Sequence, residues 1–274
     1  MLEGVNQIAV KIFDNDCFEG HCRDYCRRVP EWFRSDPRHL IAFGDLGRMM
    51  TVIAALACQT EQGVTLAAIT GVVSAMGYAS ARRIRAICDN FVRMGLTTRG
   101  PEHTDHRTRP LLFGRWFEEA LLGWLDIMLV AISPWMVWRL RPDRVTLFGL
   151  VQLGVARIAR DNPFLSWSDV RALLDRLAGY PLLLDLIGSA ALQNGHVVPA
   201  ITRKKSALVY GVSRPHVAGL IAHCEQAGWL HDGGGRLAFQ PSGFNRVRLW
   251  IATEFAAAKL ALEDFSQETN PYQI

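Results

Sequence analysis

The chain has 274 residues, enough for one large or two ordinary domains with a substantial apolar core. Its 30 basic and 26 acidic side chains give a net charge of only +4, so overall charge does not indicate a nucleic-acid partner. The first residues lack the long apolar stretch and cleavage site of a secretory signal. We therefore expect a cytoplasmic protein whose six cysteines are reduced.

Residues 1 to 47 have the least regular pattern, and we expect them to pack on the rest of the chain. Cys17, His21, Cys22, Cys26 and His39 are potential zinc ligands, but their spacing matches none of the usual structural zinc patterns. Ordinary helix and loop residues remain the simpler interpretation, with metal as the alternative. No metal or other cofactor is expected.

A first helix-turn-helix is predicted between residues 46 and 95. A helical run covers Leu46 to Thr60 and stops at Gly63, and a second helix covers Thr65 to Met76. After a turn at Gly77, Ser80 is a good N-cap for a third helix. This order is typical of a DNA-binding motif whose last helix enters the major groove.

The third helix separates apolar from basic positions. Ile84, Ile87, Cys88 and Phe91 recur at helical spacing and predict a buried face. Arginines on one helix often form only a solvated face, but here they cluster in the first turns after the motif, which favours DNA contact. The predicted DNA-binding residues on this helix are Arg82, Arg83, Arg85 and Asn90.

Residues 97 to 113 predict a β-hairpin, or wing, whose tip is basic. Wing tips often reach phosphates or the minor groove, so Arg99, Arg107 and Arg109 join the predicted interface. His103, Asp105 and His106 offer a metal site as the alternative, although a polar hairpin tip explains them without one.

Trp116 to Leu140 is the most apolar stretch and is weighed as a membrane span. Asp126 lies in its middle and Pro134 interrupts it. An aspartate at the bilayer centre costs about 2.5 to 3.5 kcal/mol, and the uninterrupted apolar run is shorter than the ~20 residues that a span needs. A helix buried between two halves of the protein is the better interpretation, and we expect no membrane partner.

The same pattern is predicted again after residue 143. Two helices fall between Val145 and Ala178, and further helices cover Tyr180 to Asn194 and Ile201 to Tyr210. Ser213 caps the next helix, which ends at Ala227-Gly228. A strand at Trp229-Leu230, a glycine-rich turn, a strand over residues 236 to 239 and a helix from Gly243 to Leu262 follow.

An internal repeat connects the two patterns, because Ser213 follows Ser80 by 133 residues. At this offset the N-cap, four core positions, the C-cap glycine and the next strand residue all correspond. The pairs are Ile84 and Val217, Ile87 and Leu220, Cys88 and Ile221, Phe91 and Cys224, Gly95 and Gly228, and Leu96 and Trp229. A chance amphipathic helix has no reason to share both caps and the following strand.

The second copy places its basic residues differently. Arg203, Lys204 and Lys205 lie on the helix before the turn and suit phosphate contacts. The other predicted DNA-binding residues of this copy are Arg214, His216, His223 and Arg236. The chain contains no Walker A, GxGxxG, GxSxG or HExxH motif and no readable triad, so we predict a protein that is not an enzyme and has no catalytic residues.

The stretches YASARRIRAICDNFVRMGL and YGVSRPHVAGLIAHCEQAGWL, each with its wing, resemble the MarR-type winged helix-turn-helix regulators. The resemblance covers residues 46 to 130 and 180 to 262. It implies a mainly α fold with small β-wings, in which tandem winged helix-turn-helix domains form a pseudo-two-fold fused dimer. The expected domains are 1–142, with the N-terminal segment and the first module, and 143–274, with the second. It also implies a possible small-molecule effector, for which no residue is assigned.

Together these observations predict a bacterial transcription regulator that binds double-stranded DNA sequence-specifically. Two recognition helices of one monomeric chain would read an imperfect palindrome with half-sites about one helical turn apart, roughly 10 base pairs. Tandem winged helices also occur in protein-interaction subunits of chromosome-organising complexes and in replication initiators, and these functions remain alternatives.

Overall fold

The computed structural model describes residues 4–100, 109–136, 143–160, 162–193, 195–232 and 236–269. The fold is mainly helical with two small antiparallel sheets. The helices are α1 (Val5–Phe13), α2 (Phe18–Ser35), α3 (Pro37–Phe43), α4 (Leu46–Ala57), α5 (Leu66–Ala75), α6 (Ala81–Arg93), α7 (Arg115–Ile132), α8 (Arg144–Arg160), α9 (Ser168–Leu174), α10 (Gly179–Gly188), α11 (Arg203–Val209), α12 (Arg214–Gln226) and α13 (Pro241–Thr269). The strands are β1 (Thr97–Arg99), β2 (Leu111–Phe113), β3 (Ala190–Gln193), β4 (His196–Pro199), β5 (Leu230–Asp232) and β6 (Leu237–Phe239).

A helix, turn, helix and hairpin occur in the same order twice. The first unit comprises α4, α5, α6 and the β1–β2 hairpin, and the second comprises α10, the β3–β4 hairpin, α11, α12 and the β5–β6 hairpin. In the first unit Val64 forms a single β-bridge to Leu111. In the second, Val197 pairs with Phe239 and joins both hairpins into a sheet of order β3-β4-β6-β5.

The ends of α6 and α12 explain why the sequence repeat is visible. The hydroxyls of Ser80 and Ser213 accept from the backbone N–H three residues on, at 3.4 and 3.2 Å. Gly95 and Gly228 end the helices with φ of +70° and +72°, a left-handed conformation that glycine adopts without strain. The predicted caps of both helices are therefore confirmed, and each helix leads directly into its hairpin.

The two units contact each other through helices that precede them. α2 packs on α10, where the hydroxyls of Tyr25 and Tyr180 lie 2.7 Å apart. Reciprocally, α8 packs on α4, and the Gln152 amide donates to the Ala57 carbonyl at 3.5 Å. The long helices α7 and α13 contact each other and α2 and α8. The core is therefore continuous through both halves of the chain.

Two predicted helices are shorter than expected. The helix predicted over Tyr180 to Asn194 ends at Gly188, and β3 and β4 form a hairpin that we did not predict. Its sequence signal is the Asn194-Gly195 pair between two short apolar runs, typical of a tight turn. The helix predicted over Trp116 to Leu140 ends at Ile132, and a short 3-10 turn follows over Ser133–Trp135.

The stretch from Val5 to Phe43 forms α1, α2 and α3, and it packs on the rest of the chain, as expected. On α2 the buried face consists of Phe18, Cys22, Tyr25, Cys26, Val29, Pro30 and Phe33, a helical period that the mixed composition of this stretch conceals. Across the residues that the structure describes, no single helix is long and apolar enough to cross a membrane. α3 and α4 reach that length and composition only as a pair, and they are bent by 86°.

Candidate nucleic-acid interface

Helix α6 exposes part of its predicted reading face. Its apolar side is fully buried, which fixes the rotation of the helix on the first unit. Arg82 and Arg85 project from the opposite side and are exposed, with no hydrogen-bond or ion-pair partner among the described residues. Asn90 is half-buried, and its amide lies 3.6 Å from the Met94 sulfur. The two predicted interface arginines without a described partner are thus in the first two turns of α6.

Arg83 points away from these two arginines and into the protein. Its Nη2 atom donates to Oδ1 of Asp45 at 2.8 Å and to the carbonyl of Asp175 at 3.2 Å. The side chain of Asp45 is only 8% exposed and also pairs with Arg48 at 3.1 Å. Breaking this contact would leave a buried carboxylate less well compensated. Arg83 therefore anchors α6 within the protein, and we remove it from the predicted DNA-reading residues.

Helix α12 is also tied down on its polar side. Nε2 of His216 donates to the Leu177 carbonyl at 2.7 Å, and Nε2 of His223 donates to the Asp169 carbonyl at 2.9 Å. Both histidines are half-buried against α9 and the loop that follows it. Nε2 of each ring is therefore engaged within the protein, and a contact of these two histidines with DNA stays a prediction. Arg214, in the first turn, remains exposed without a described partner.

A short segment, the central loop (residues 175–178), contacts the first turns of both helices. Arg83 of α6 donates to the Asp175 carbonyl, and His216 of α12 donates to the Leu177 carbonyl. Arg176 is exposed between them and donates to the Gly219 carbonyl of α12 at 3.2 Å. The central loop therefore holds the two helices side by side. Arg176 is a basic residue of this surface that the sequence pattern did not indicate.

The remaining predicted residues fall into two groups. Some already have partners: Arg99 pairs with Asp89 at 3.0 Å, Arg109 donates to the Gly100 carbonyl at 2.7 Å, and Arg203 lies 3.9 Å from Glu225 and 3.7 Å from Asp232. Others are exposed, namely Lys204, Lys205 and Arg236. Arg107 lies outside the described residues, as do His103, Asp105 and His106.

The cysteines in this region belong to the core. Cys88 of α6 and Cys224 of α12 are both buried, and burial raises the pKa of each thiol to about 12. Such thiols remain protonated at neutral pH and are poor nucleophiles or metal ligands. Among the described residues, no group of three or more His, Cys, Asp or Glu side chains is arranged to hold a metal ion.

Comparisons with known proteins do not assign the chain to a family. No protein-family model matches the chain, and neither a curated protein nor a solved structure resembles it significantly.

Proposed function

We propose that the chain is a sequence-specific DNA-binding regulator that uses two winged helix-turn-helix modules as a fused pseudo-dimer. The supporting observation concerns α6 and α12, each the later helix of a helix-turn-helix pair. Both begin beside the central loop, with exposed arginines in their first turns. Helix-turn-helix proteins place these N-terminal turns against base edges in the major groove. Arg82, Arg85 and Arg214 are the proposed base-reading residues.

A pseudo-two-fold relation between the modules supports this proposal. Gly44 and Leu177 precede α4 and α10 at the 133-residue offset, and these two turns contact each other directly. The backbone N–H of Ala178 donates to the Gly44 carbonyl at 2.8 Å. The reciprocal packing of α2 on α10 and of α8 on α4 has the same symmetry. A two-fold protein matches an imperfect palindrome in DNA.

The lysines of the second module have a different role. Lys204 and Lys205 lie at the start of α11, the helix before the turn, and are exposed. This helix crosses the backbone in helix-turn-helix complexes, so its cations hold phosphates rather than read bases. Arg176 and Arg236 are further exposed cations in the second half of the chain.

The runner-up is a protein-interaction subunit, which one observation favours. Leu208 of α11 is 83% exposed, next to the proposed phosphate-binding lysines. A large apolar side chain in that position suits a protein partner better than a phosphate backbone. Only the DNA-binding proposal expects that reversing charges on α6 and α12 abolishes specific binding to a DNA duplex.

The test is selection of binding sites from a randomised duplex library with the full chain, followed by fluorescence anisotropy on the selected duplex. We expect selected sites with two related half-sites. Changing Arg82, Arg85 and Arg214 together to glutamate should abolish this binding. A charge-matched control changes Arg23, Arg27 and Arg160, which are exposed outside both modules, to glutamate.

The control separates a specific interface from general attraction. If both triple variants weaken the selected duplex equally, the effect is one of net charge, and the assignment to α6 and α12 fails. If the library yields no enriched sequence at low salt, the regulator proposal fails and the protein-interaction function takes its place.

A further inference from the structure

A pocket of about 230 Å³ lies between the two halves of the molecule. Helices α4, α7, α8, α9 and α13 supply its walls, which are almost entirely apolar. Met50, Trp124, Leu125, Leu150 and Trp250 are among the lining side chains. A concave apolar site with a small number of polar groups is the usual form of a small-molecule site.

Two of the three charged side chains that line the pocket already have partners. Arg157 donates through Nε and Nη2 to Oδ2 of Asp264, at 3.1 and 2.5 Å. Arg171 donates to the Gly77 carbonyl, and its guanidinium lies 5.2 Å from the ring centroid of Tyr78. Both guanidinium groups that line the pocket therefore already contact acceptors of the protein.

The third charged group, Glu254 of α13, has no cationic partner among the described residues. Within the part of the chain that the structure describes, its Oε2 atom accepts from the Tyr180 hydroxyl, at 3.3 Å. The other titratable groups facing it are Tyr25 and Cys26 of α2, which carry no positive charge. Burial raises the pKa of Glu254 to about 8, so this carboxyl is mostly neutral at pH 7.

We propose that this pocket binds a compact apolar molecule that carries one basic nitrogen, with Glu254 as its counter-ion. A charge in an apolar site is tolerated when it is paired, and an ammonium group would give Glu254 the cationic partner that the described residues do not supply. Trp124 and Trp250 are among the side chains that line the same space, and aromatic rings attract a cation that lies over their faces. Once Glu254 is ionised, a carboxylate ligand would instead place like charges together.

The pocket is also connected to both proposed reading helices. Trp167, Arg171 and Leu174 form one wall, at and within α9, and α9 leads directly into the central loop. Tyr78, in the turn before α6, lies on the same side. An occupant that shifts α9 would change the separation of α6 and α12 and with it the affinity for DNA. This regulatory step rests on the proposed function, whereas binding of the amine does not.

Isothermal titration calorimetry on the full chain without DNA tests the site. The probes share one apolar body and differ in one group: 4-phenylbutylamine, 4-phenylbutan-1-ol and 4-phenylbutanoic acid. We expect one amine per chain, bound at least about tenfold more tightly than the alcohol or the acid at pH 8. Because Glu254 must lose its proton, amine affinity should rise by up to about tenfold per unit between pH 6 and 8.

Three variants separate the site from general effects. Glu254→Gln should make the amine bind no better than the alcohol and remove the pH dependence. Glu263→Gln is the matched control, because Glu263 lies on the same helix, pairs with Lys259 and does not line the pocket. Gly154→Leu should block all three probes by filling the space, since a Cβ added at Gly154 meets no heavy atom within 4 Å.

The proposal is overturned if no probe binds, if the acid or alcohol binds as well as the amine, or if Gly154→Leu binds the amine normally. Anisotropy on the selected duplex, with and without 4-phenylbutylamine, then tests regulation. An amine that binds at the pocket while the chain binds no duplex would refute the proposed function and leave the site standing. Duplex binding without any amine binding would refute the site alone.

Discussion

The helices α6 and α12 occupy equivalent positions in the two modules but differ in charge. α6 exposes Arg82 and Arg85, whereas the equivalent residues of α12 are Pro215 and Ala218. The helix before the turn shows the reverse: α11 carries Arg203, Lys204 and Lys205, and the equivalent residues of α5 are Thr70, Gly71 and Val72. Under the proposed function, one module therefore concentrates cations on the helix that would read bases, and the other on the helix that would hold phosphates. The two modules share an order of elements but differ in the placement of their charges.

The largest effect is expected from the reading residues of the first module. An arginine paired with guanine contributes about 1 to 3 kcal/mol of discrimination, so Arg82→Ala with Arg85→Ala should weaken the selected duplex by roughly 2 to 6 kcal/mol. Arg214→Ala, the only such residue of α12, should cost about half as much. Anisotropy on the selected and on a scrambled duplex measures both.

The control for this comparison is Arg93→Ala, an exposed arginine in the last turn of α6. Docking through the N-terminal turns predicts little change in discrimination. If Arg93→Ala lowers discrimination as much as the double variant, the helix does not enter the groove by its N-terminus.

The backbone elements of both modules were predictable because their signals are local. Ser80 and Ser213, with Gly95 and Gly228, define the ends of the two helices in the sequence, and the structure confirms them. The β3–β4 hairpin was missed, because a continuous apolar run was assigned to one helix despite the Asn194-Gly195 pair.

The roles of the polar residues depended on distant partners. Arg83 contacts Asp175, 92 residues away, and His223 contacts Asp169, 54 residues away. A helical wheel places these side chains on the polar face, but it does not show that α9 covers that face. The pocket beside Glu254 likewise requires five helices to meet, and no local pattern indicates it.

The next largest effect is expected from a difference between the long helices α7 and α13, namely the residue type at one equivalent position. Phe113 and Phe239 are equivalent by strand register, so the first wing is seven residues longer than the second. After the wings the offset between the modules is therefore seven residues smaller, and Glu254 of α13 corresponds to Met128 of α7. Met128 also lines the pocket. The pKa of Glu254 rises from 4.5 to about 8 on folding. Between pH 4.5 and about 8 the Glu254 carboxyl is ionised in the unfolded chain and mostly protonated in the folded chain. The contribution of Glu254 to the free energy of unfolding therefore falls as pH rises through this range.

Unfolding free energy measured in urea at pH 5 and pH 8 tests this contrast. Wild type should lose stability between the two values because of Glu254, by a few kcal/mol at most. Glu254→Gln should lose less, and Glu263→Gln should follow wild type. A decline of equal size in Glu254→Gln would show that other groups cause it.

A smaller effect is expected from the lysines of α11. Changing Lys204 and Lys205 to alanine should weaken selected and scrambled duplexes alike. The slope of log affinity against log salt should fall by about 0.9 for each phosphate that the protein no longer neutralises. Titration of both duplexes at several salt concentrations measures this slope. Weaker binding of the selected duplex alone would mean that α11 reads bases, which would remove the contrast between the two modules.

The smallest effect concerns the anchors of the two helices, Arg83 and His216, which are equivalent at the 133-residue offset and both hold the central loop. Replacing either residue by alanine removes one such anchor and should lower the free energy of unfolding by about 1 kcal/mol. The cost at Arg83 stays modest because its side chain is 40% exposed and Asp45 keeps Arg48. Salt should reduce the effect at Arg83, an ion pair, and leave the His216 effect largely unchanged, since its acceptor is a backbone carbonyl.

Urea unfolding at low and high salt measures these differences, with Arg85→Ala as the control on α6. Arg85 is exposed and has no described partner, so its replacement should change stability by less than about 0.5 kcal/mol. If Arg85→Ala is as destabilising as Arg83→Ala, then the division of α6 into an anchoring and a reading side is wrong. If Arg83→Ala is neutral while it lowers DNA discrimination, Arg83 returns to the reading residues.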